Sequence, residues 1–250
     1  SGKKGLIIGI ANESSIAWGC AKHMRAAGAD IAVTYLNEKA DKYVRPLAEQ
    51  IEADIFEPLN VSKEEEIDAL FEKIEEKWGK LDFIVHSIAF ARLEDLHGRV
   101  IDCSADGFAE SMDISCHSFL RLAKRAEPLM KEGGAMITVS YYGSEKVIDN
   151  YNVMGVSKAA LEASVRYAAA ELGPKGISVN AVSPGPLLTR AASGIAQFDK
   201  LMQYAVDNSP SGKLVTIDDV GQYATFLVSE AARHITGNTL YVDGRLHIKG

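Results

Sequence analysis

The 250-residue chain lacks any apolar run near the roughly 18 residues needed to cross a bilayer, so no membrane-spanning helix is expected. It opens on Ser1-Gly2-Lys3-Lys4, with neither a Met nor a long apolar stretch behind it. No secretory leader is therefore expected, and the cytoplasm is the expected location. Cysteine is scarce. Cys20, Cys103 and Cys116 stand far apart, without metal-ligand spacing or a Cys-x-x-Cys pair, and read as small buried hydrophobes in a reducing compartment. No dense basic tract occurs, and 27 Lys and Arg against 34 Asp and Glu leave a net charge of -7. That balance argues against nucleic acid as a partner. Internal repeats and linker-like tracts are missing as well. What remains, 47% hydrophobic and 24% charged, is ordinary globular composition, long enough for one large α/β domain.

Short apolar runs alternate with longer amphipathic segments. Strands are expected at 4–10, 30–35, 55–58, 81–86, 134–140, 177–183 and 239–242. Helices are expected at 16–27, 38–51, 63–78, 106–130, 154–172 and 217–229, with Ile67, Leu70, Phe71 and Ile74 forming one stripe of the third. Strands that are apolar throughout, with helices between them, point to a parallel sheet covered on both faces. Right-handed crossovers make such a sheet doubly wound, with ligands beyond the carboxyl ends of its strands.

The first strand runs into Gly9-Ile10-Ala11-Asn12-Glu13-Ser14-Ser15-Ile16 and then a helix. This is not Gly-x-Gly-x-x-Gly, because Ala11 holds the central place. Gly9 lets the backbone turn close to a pyrophosphate, and the N–H groups at the helix start suit anionic oxygens. Ser15 could cap that helix or bind phosphate. Asn60-Val61 follows the third strand, where an amide could bond adenine and Val61 pack against the ring. His86-Ser87-Ile88-Ala89-Phe90-Ala91 follows the fourth, its small residues allowing close approach to a ribose. His86 itself reads better as a packed strand-end histidine. Tyr35-Leu36-Asn37 ends the second strand with neither an Asp for a ribose diol nor an Arg for a 2′-phosphate, which favours NADH over NADPH.

Tyr151 and Lys158 are seven residues apart, nearly two helical turns and about 10.5 Å along an axis. With Tyr151 at the mouth of a helix, its hydroxyl and the ammonium converge on one ligand, where positive charge favours an oxyanion. Met154, not tyrosine, stands four residues before Lys158. Tyr141 lies ten residues upstream of Tyr151.

These motifs resemble the short-chain dehydrogenase/reductase superfamily, and within it the bacterial-type enoyl-acyl carrier protein reductases. Ordinary members of the superfamily space Tyr and Lys four apart, whereas the Tyr-x6-Lys spacing with an upstream tyrosine is the enoyl reductase pattern. Also similar are Ser15-Ile16-Ala17, the run from His86 to Ala91, Asp113-Ile114-Ser115, Asn150 to Gly155, Gly185-Pro186, Ala191-Ala192-Ser193-Gly194 and Val242-Asp243-Gly244. The likeness extends over residues 4–248. It departs at Leu36 (usually Gln), Asn60 (Asp), Pro184 (Ala), Cys116-His117 (Ser-Tyr) and Arg245 (Gly).

The resemblance implies a single Rossmann-like α/β domain over 1–250 with a doubly wound parallel sheet, and a homotetramer. It also implies NADH-dependent reduction of the trans-2 double bond of acyl thioesters on acyl carrier protein during fatty-acid elongation. By position, Tyr151 hydrogen-bonds the thioester oxygen, Lys158 binds the nicotinamide ribose, and Tyr141 lines the acyl pocket and assists proton delivery. Cofactor contacts fall on Gly9, Ser15, Ile16, Leu36, Asn60, Val61, Ile88, Lys158, Leu187, Leu188, Thr189, Arg190 and Ala191, and Ala91 touches substrate. Residues 187–208, small residues followed by a short amphipathic stretch, suit a lid over the bound cofactor. No metal site is expected. A carbonyl or alcohol oxidoreductase of the same superfamily and a non-catalytic nucleotide-binding homologue are the alternatives.

Overall fold

Each of the apolar runs becomes a strand. A computed structural model describes residues 2–189, 192, 195–210 and 212–248. Among them seven strands are found: β1 (Lys4–Ile8), β2 (Asp30–Tyr35), β3 (Ile55–Pro58), β4 (Phe83–His86), β5 (Gly134–Val139), β6 (Ile177–Pro184) and β7 (Thr239–Val242). All pair in parallel in one sheet of order β3-β2-β1-β4-β5-β6-β7. The order reverses between β1 and β4, which opens a crevice at the carboxyl edge there.

The strands feed two cores by simple alternation. Ile7, Ile31, Val33, Phe83, Val85 and Ile137 point to the layer holding α1 (Ile16–Ala26), α2 (Glu38–Gln50) and α9 (Ile217–Leu227). Leu6, Ile8, Ala32, Ile84, Met136, Val179 and Ala181 point to the other. That second layer holds α3 (Glu64–Trp78), α6 (Ser118–Ala126) and α7 (Asn152–Leu172). The five inner strands β2, β1, β4, β5 and β6 bury both faces, whereas the edge strands β3 and β7 are only partly buried. The apolar runs of the inner five are what made them readable. The expected stripe on α3 is buried throughout. Gly9, Asn60, Ile88 and Leu187 each follow a strand end, so all four lie at the carboxyl edge.

The single helix expected at 106–130 is broken. It consists of α5 (Ala105–Met112), a π-helical turn at Asp113–His117, α6, and a 3-10 turn at Glu127–Leu129. Serine hydroxyls, one bonding within the helix and one reaching another part of the chain, explain the break. The Ser118 hydroxyl donates to the Ile114 carbonyl at 2.7 Å, and Ser115 Oγ both accepts from Phe90 N and donates to Phe90 O. Pro128 then withholds an N–H near the end. Two short elements had no sequence signal strong enough to mark them, α4 (Leu93–His97) and a turn at Val100–Asp102. α8 spans Phe198–Asn208.

His86 is completely buried, and its hydrogen bonds tie three elements together. Since Ser118 gives its proton to Ile114, Nε2–H of His86 donates to Ser118 Oγ at 2.8 Å, and Nδ1 accepts from Thr138 Oγ1 at 2.8 Å. Burial first, and the nearby Lys158 charge second, push the imidazole down from 6.5 to about 3. It therefore stays neutral in the folded chain, a packed histidine as the sequence favoured. The stability held by this neutrality is complete above about pH 6.5 and is lost as pH falls toward 3, because only the unfolded chain takes up the proton. Urea unfolding is expected to show a loss of about 2 kcal/mol between pH 7 and 5 that His86→Gln does not show. An equal acid limb in both proteins would contradict this assignment.

Candidate active site

Four strand-end segments, those of β1, β4, β5 and β6, and side chains of α4, α7 and α8 converge on a cleft of about 350 Å³ at the crevice between β1 and β4. Its floor at one end is Gly9, Ala11, Ser15 and Ile16 from the β1–α1 turn. Gly9 has φ +108°, and a Cβ there would collide with the Ser87 carbonyl oxygen. The glycine is thus required first by the close packing of two strand-end turns, and only through that by any ligand. Ser15 neither caps α1 nor stands free. Its Oγ accepts from Ala11 N at 2.9 Å and Asn12 N at 3.1 Å, which closes the turn. The first N–H groups of α1, beginning at Ile16, have no partner within the helix and lie at the positive end of its dipole.

From β4 come Ser87, Ile88, Ala89, Phe90 and Ala91, held in place by the bonds from Ser115 to the Phe90 backbone. From β6 come Pro184, Gly185, Pro186, Leu187 and Thr189. Leu96, Ile195, Phe198 and Leu201 close the far end with apolar side chains.

The chemistry-bearing residues meet between β5 and α7. Tyr151 sits at the N-cap of α7, packed by Leu96 and Met154, with its ring edge-on to Tyr141 at 5.0 Å between centroids. Burial raises both phenols well above the usual tyrosine range, so each is a protonated hydrogen-bond donor. For Tyr151 the neighbouring Tyr141 and Glu162 add to the effect. Lys158, two turns on and 4% exposed, lines the same cleft and donates to the Val139 carbonyl at 2.6 Å. Burial pulls its ammonium down to about 8, partly opposed by Glu162 and Cys116. Below that pH it is a buried cation with donors to spare. Met154 fills the place four before Lys158 with an apolar chain, so no second phenol approaches the ammonium from there.

The family model described as enoyl-(acyl carrier protein) reductase matches residues 9–247. The chain belongs to that family. An enoyl-[acyl-carrier-protein] reductase [NADH] of Rhizobium meliloti is 48% identical over 250 residues, covering 100% of this chain and 92% of the relative. The crystal structure of the Anaplasma phagocytophilum reductase in complex with NAD matches with a TM-score of 0.96 at 50% identity, covering 100% of this chain and 95% of that one. The Bacillus cereus enoyl-acyl carrier protein reductase with NADP+ and indole naphthyridinone gives 0.97 at 42% identity, covering 100% and 98%.

Of the positions expected to touch cofactor or substrate in this enoyl reductase, Gly9, Ser15, Ile16, Ile88, Ala91, Lys158, Leu187 and Thr189 line the cleft. Leu36 (57% exposed) and Leu188 (68% exposed) do not, and stand at its solvent margin or beyond. Asn60 and Val61 lie outside it too. The Asn60 side-chain oxygen accepts from Ser62 N in its own turn, and Val61 packs into the core while its carbonyl takes a bond from Arg121 at 2.6 Å. Arg190 and Ala191 lie outside the described residues. Among the departures, Cys116 is buried near Ser164, and Arg245 adopts φ +69°, a backbone conformation that glycine takes more readily.

Sequence reasoning passed over Glu162 and its partners. Glu162 is 6% exposed and accepts hydrogen bonds from Ser140 Oγ and, at 2.6 Å, from Ser144 Oγ. A signal existed: a carboxylate on the otherwise apolar stripe Met154, Leu161, Val165, one turn beyond Lys158.

Proposed function

We propose that this chain reduces the trans-2 double bond of acyl thioesters carried on acyl carrier protein, in fatty-acid elongation, with NADH as the reductant. The observation that carries the reading is the convergence of Tyr151 and Lys158 on one cleft with Met154, not a phenol, four residues before the lysine. A carbonyl reductase needs its proton donor beside the carbon that receives hydride. An enoyl thioester receives hydride two carbons from the carbonyl carbon, so its oxyanion donor must stand farther off, as Tyr151 does along the chain.

The donor set suits a reduced dinucleotide: unpaired N–H groups at the start of α1 for pyrophosphate oxygens, and the spare donors of Lys158 for ribose hydroxyls. The Rhizobium meliloti relative is named for NADH, and Tyr35-Leu36-Asn37 offers no arginine to a 2′-phosphate. NADH, when bound, would supply the hydride that adds at C3, and a proton from water taken up at C2 of the resulting enolate would complete the reduction. Tyr151 donates a hydrogen bond to the thioester oxygen, where negative charge develops, and its burial keeps the proton in place. Lys158 holds the ribose and adds positive potential to the same space. Tyr141 walls the acyl pocket and orients the Tyr151 ring. Leu96, Ile195, Phe198 and Leu201 take the acyl chain and exclude water.

Tyr151→Phe keeps the ring and removes the donor, so kcat is expected to fall about 10²–10³-fold with little change in NADH affinity. Lys158→Ala is expected to weaken both. In the unsubstituted chain, NADH affinity should hold below about pH 8 and weaken above it as the buried ammonium loses its proton. A fluorescence titration across that range checks the sign, and unchanged affinity in Lys158→Ala would contradict the assigned role.

Residues 187–208 are read as a lid: α8 contributes Phe198 and Leu201 to the cleft, and Asn150 Nδ2 reaches the Ala196 carbonyl at 3.1 Å. Hydrogen exchange in this segment is expected to slow when NADH binds, and equal protection with and without it rejects the lid. The assembly is read as a homotetramer. Exposed Phe108, Val156 and Tyr167 on α5 and α7 offer apolar surface to a second copy. Light scattering should give four times the mass of one chain, and a monomer would contradict it.

A further inference from the structure

The start of α7 and the turn after β5 are joined at more points than packing requires. Gly143 lies so close to Tyr151 that a Cβ on it would strike the Tyr151 ring, and a Cβ on Gly155 would come within 2.7 Å of the Gly143 carbonyl. Lys158 binds the carbonyl of Val139, the last residue of β5. One turn later, Glu162 accepts both the Ser140 and the Ser144 hydroxyls on the same oxygen, Oε1. Those two serines bracket Tyr141, whose own side chain makes no polar contact among those found and rests edge-on against Tyr151. A carboxylate this deeply buried is costly unless its oxygens are bonded, so the serines are held as firmly as the carboxylate needs them.

We propose that Glu162 is a positioning residue for enoyl reduction: it acts through Ser140 and Ser144 to fix the Tyr141 turn against α7, and so sets the Tyr141–Tyr151 pair. The inference rests on the reading of the cleft as an enoyl reductase site and deepens it. Glu162 itself does not line the cleft and touches no reacting atom. Its influence passes from the carboxylate to two hydroxyls, from these to the backbone of 140–144, and from Tyr141 to the ring that donates to the substrate. The packing of Gly143 on that ring makes the last link stiff, because a shift of the turn cannot occur without moving Tyr151.

The variant that opens the clamp is the pair Ser140→Ala with Ser144→Ala, which leaves the carboxylate one turn from Lys158 and removes its two donors. Because Ser140 also lines the cleft, Ser144→Ala alone, which should show the same changes in smaller measure, controls for a direct contact. In the full chain without cofactor, hydrogen exchange over 140–145 is expected to speed up about tenfold or more. Turnover of an enoyl thioester should fall about tenfold, since displacement of a donor by a fraction of an ångström is costly. The dissociation constant for NADH should change far less than kcat, because Lys158 and its bond to the Val139 carbonyl are kept. Glu162→Gln, whose amide oxygen still accepts both hydroxyls, should retain the exchange protection that Glu162→Ala loses. Unchanged exchange or unchanged kcat in the double variant overturns the proposal. Failure of the unsubstituted chain to reduce enoyl thioesters instead overturns the functional reading, and the exchange comparison still decides whether the clamp exists.

Discussion

A lysine ammonium buried beneath the carboxyl edge of the sheet is the constraint that organises this molecule. Lys158 has little water to solvate it, so the chain supplies substitutes: the Val139 carbonyl at the end of β5 and a carboxylate one helical turn away. Meeting that need draws α7 tightly onto the sheet. Tyr151 is brought to the mouth of the helix, beside Tyr141, with Gly143 and Gly155 permitting the close approach. Burial first, and the same cation second, keep the neighbouring His86 neutral, and it serves as a tie between β4, β5 and α6.

The parallel sheet does the rest of the positioning. Because all seven described strands run the same way, turns distant in sequence are gathered along one edge, and the reversal of strand order between β1 and β4 leaves room there for a ligand. The apolar wall from Leu96 to Leu201 and the donor-rich wall from Ile16 to Lys158 face one space. A reductant and an acyl chain can therefore meet with water largely excluded.

How much of this could be read from residues alone depended on whether the signal was local. Strands buried on both faces are continuous apolar runs, and all seven were placed within two residues at each end. Helical spacing brought Tyr151 and Lys158 together as a candidate pair, and the likeness of that spacing to the enoyl reductase pattern is what singled it out. The break at Asp113–His117 was not, since it depends on Ser115 reaching the Phe90 backbone from another part of the chain. Ser15 was read as a helix cap or a phosphate ligand and Asn60 as a group for adenine. In the fold Ser15 Oγ accepts two N–H groups of its own turn while lining the cleft, and Asn60 Oδ1 accepts from Ser62 N, bonds that no spacing in the sequence marks. Gly9 was read as letting the backbone turn close to a pyrophosphate, and in the fold the group that comes close to it is the Ser87 carbonyl. Glu162 stood in plain view on an apolar stripe, yet its meaning required knowing that Ser140 and Ser144 lie across from it.

The central claim is that this cleft reduces a carbon–carbon double bond and not a carbonyl, because its donor is Tyr151 and Met154 occupies the nearer place. The most direct measurement mixes the protein with NADH and either crotonyl or acetoacetyl coenzyme A thioester, and follows the nicotinamide absorbance. The account predicts loss of absorbance with the crotonyl thioester and none above background with the acetoacetyl one. Faster reduction of the acetoacetyl thioester, or no reduction of either in a protein that binds NADH, would contradict it.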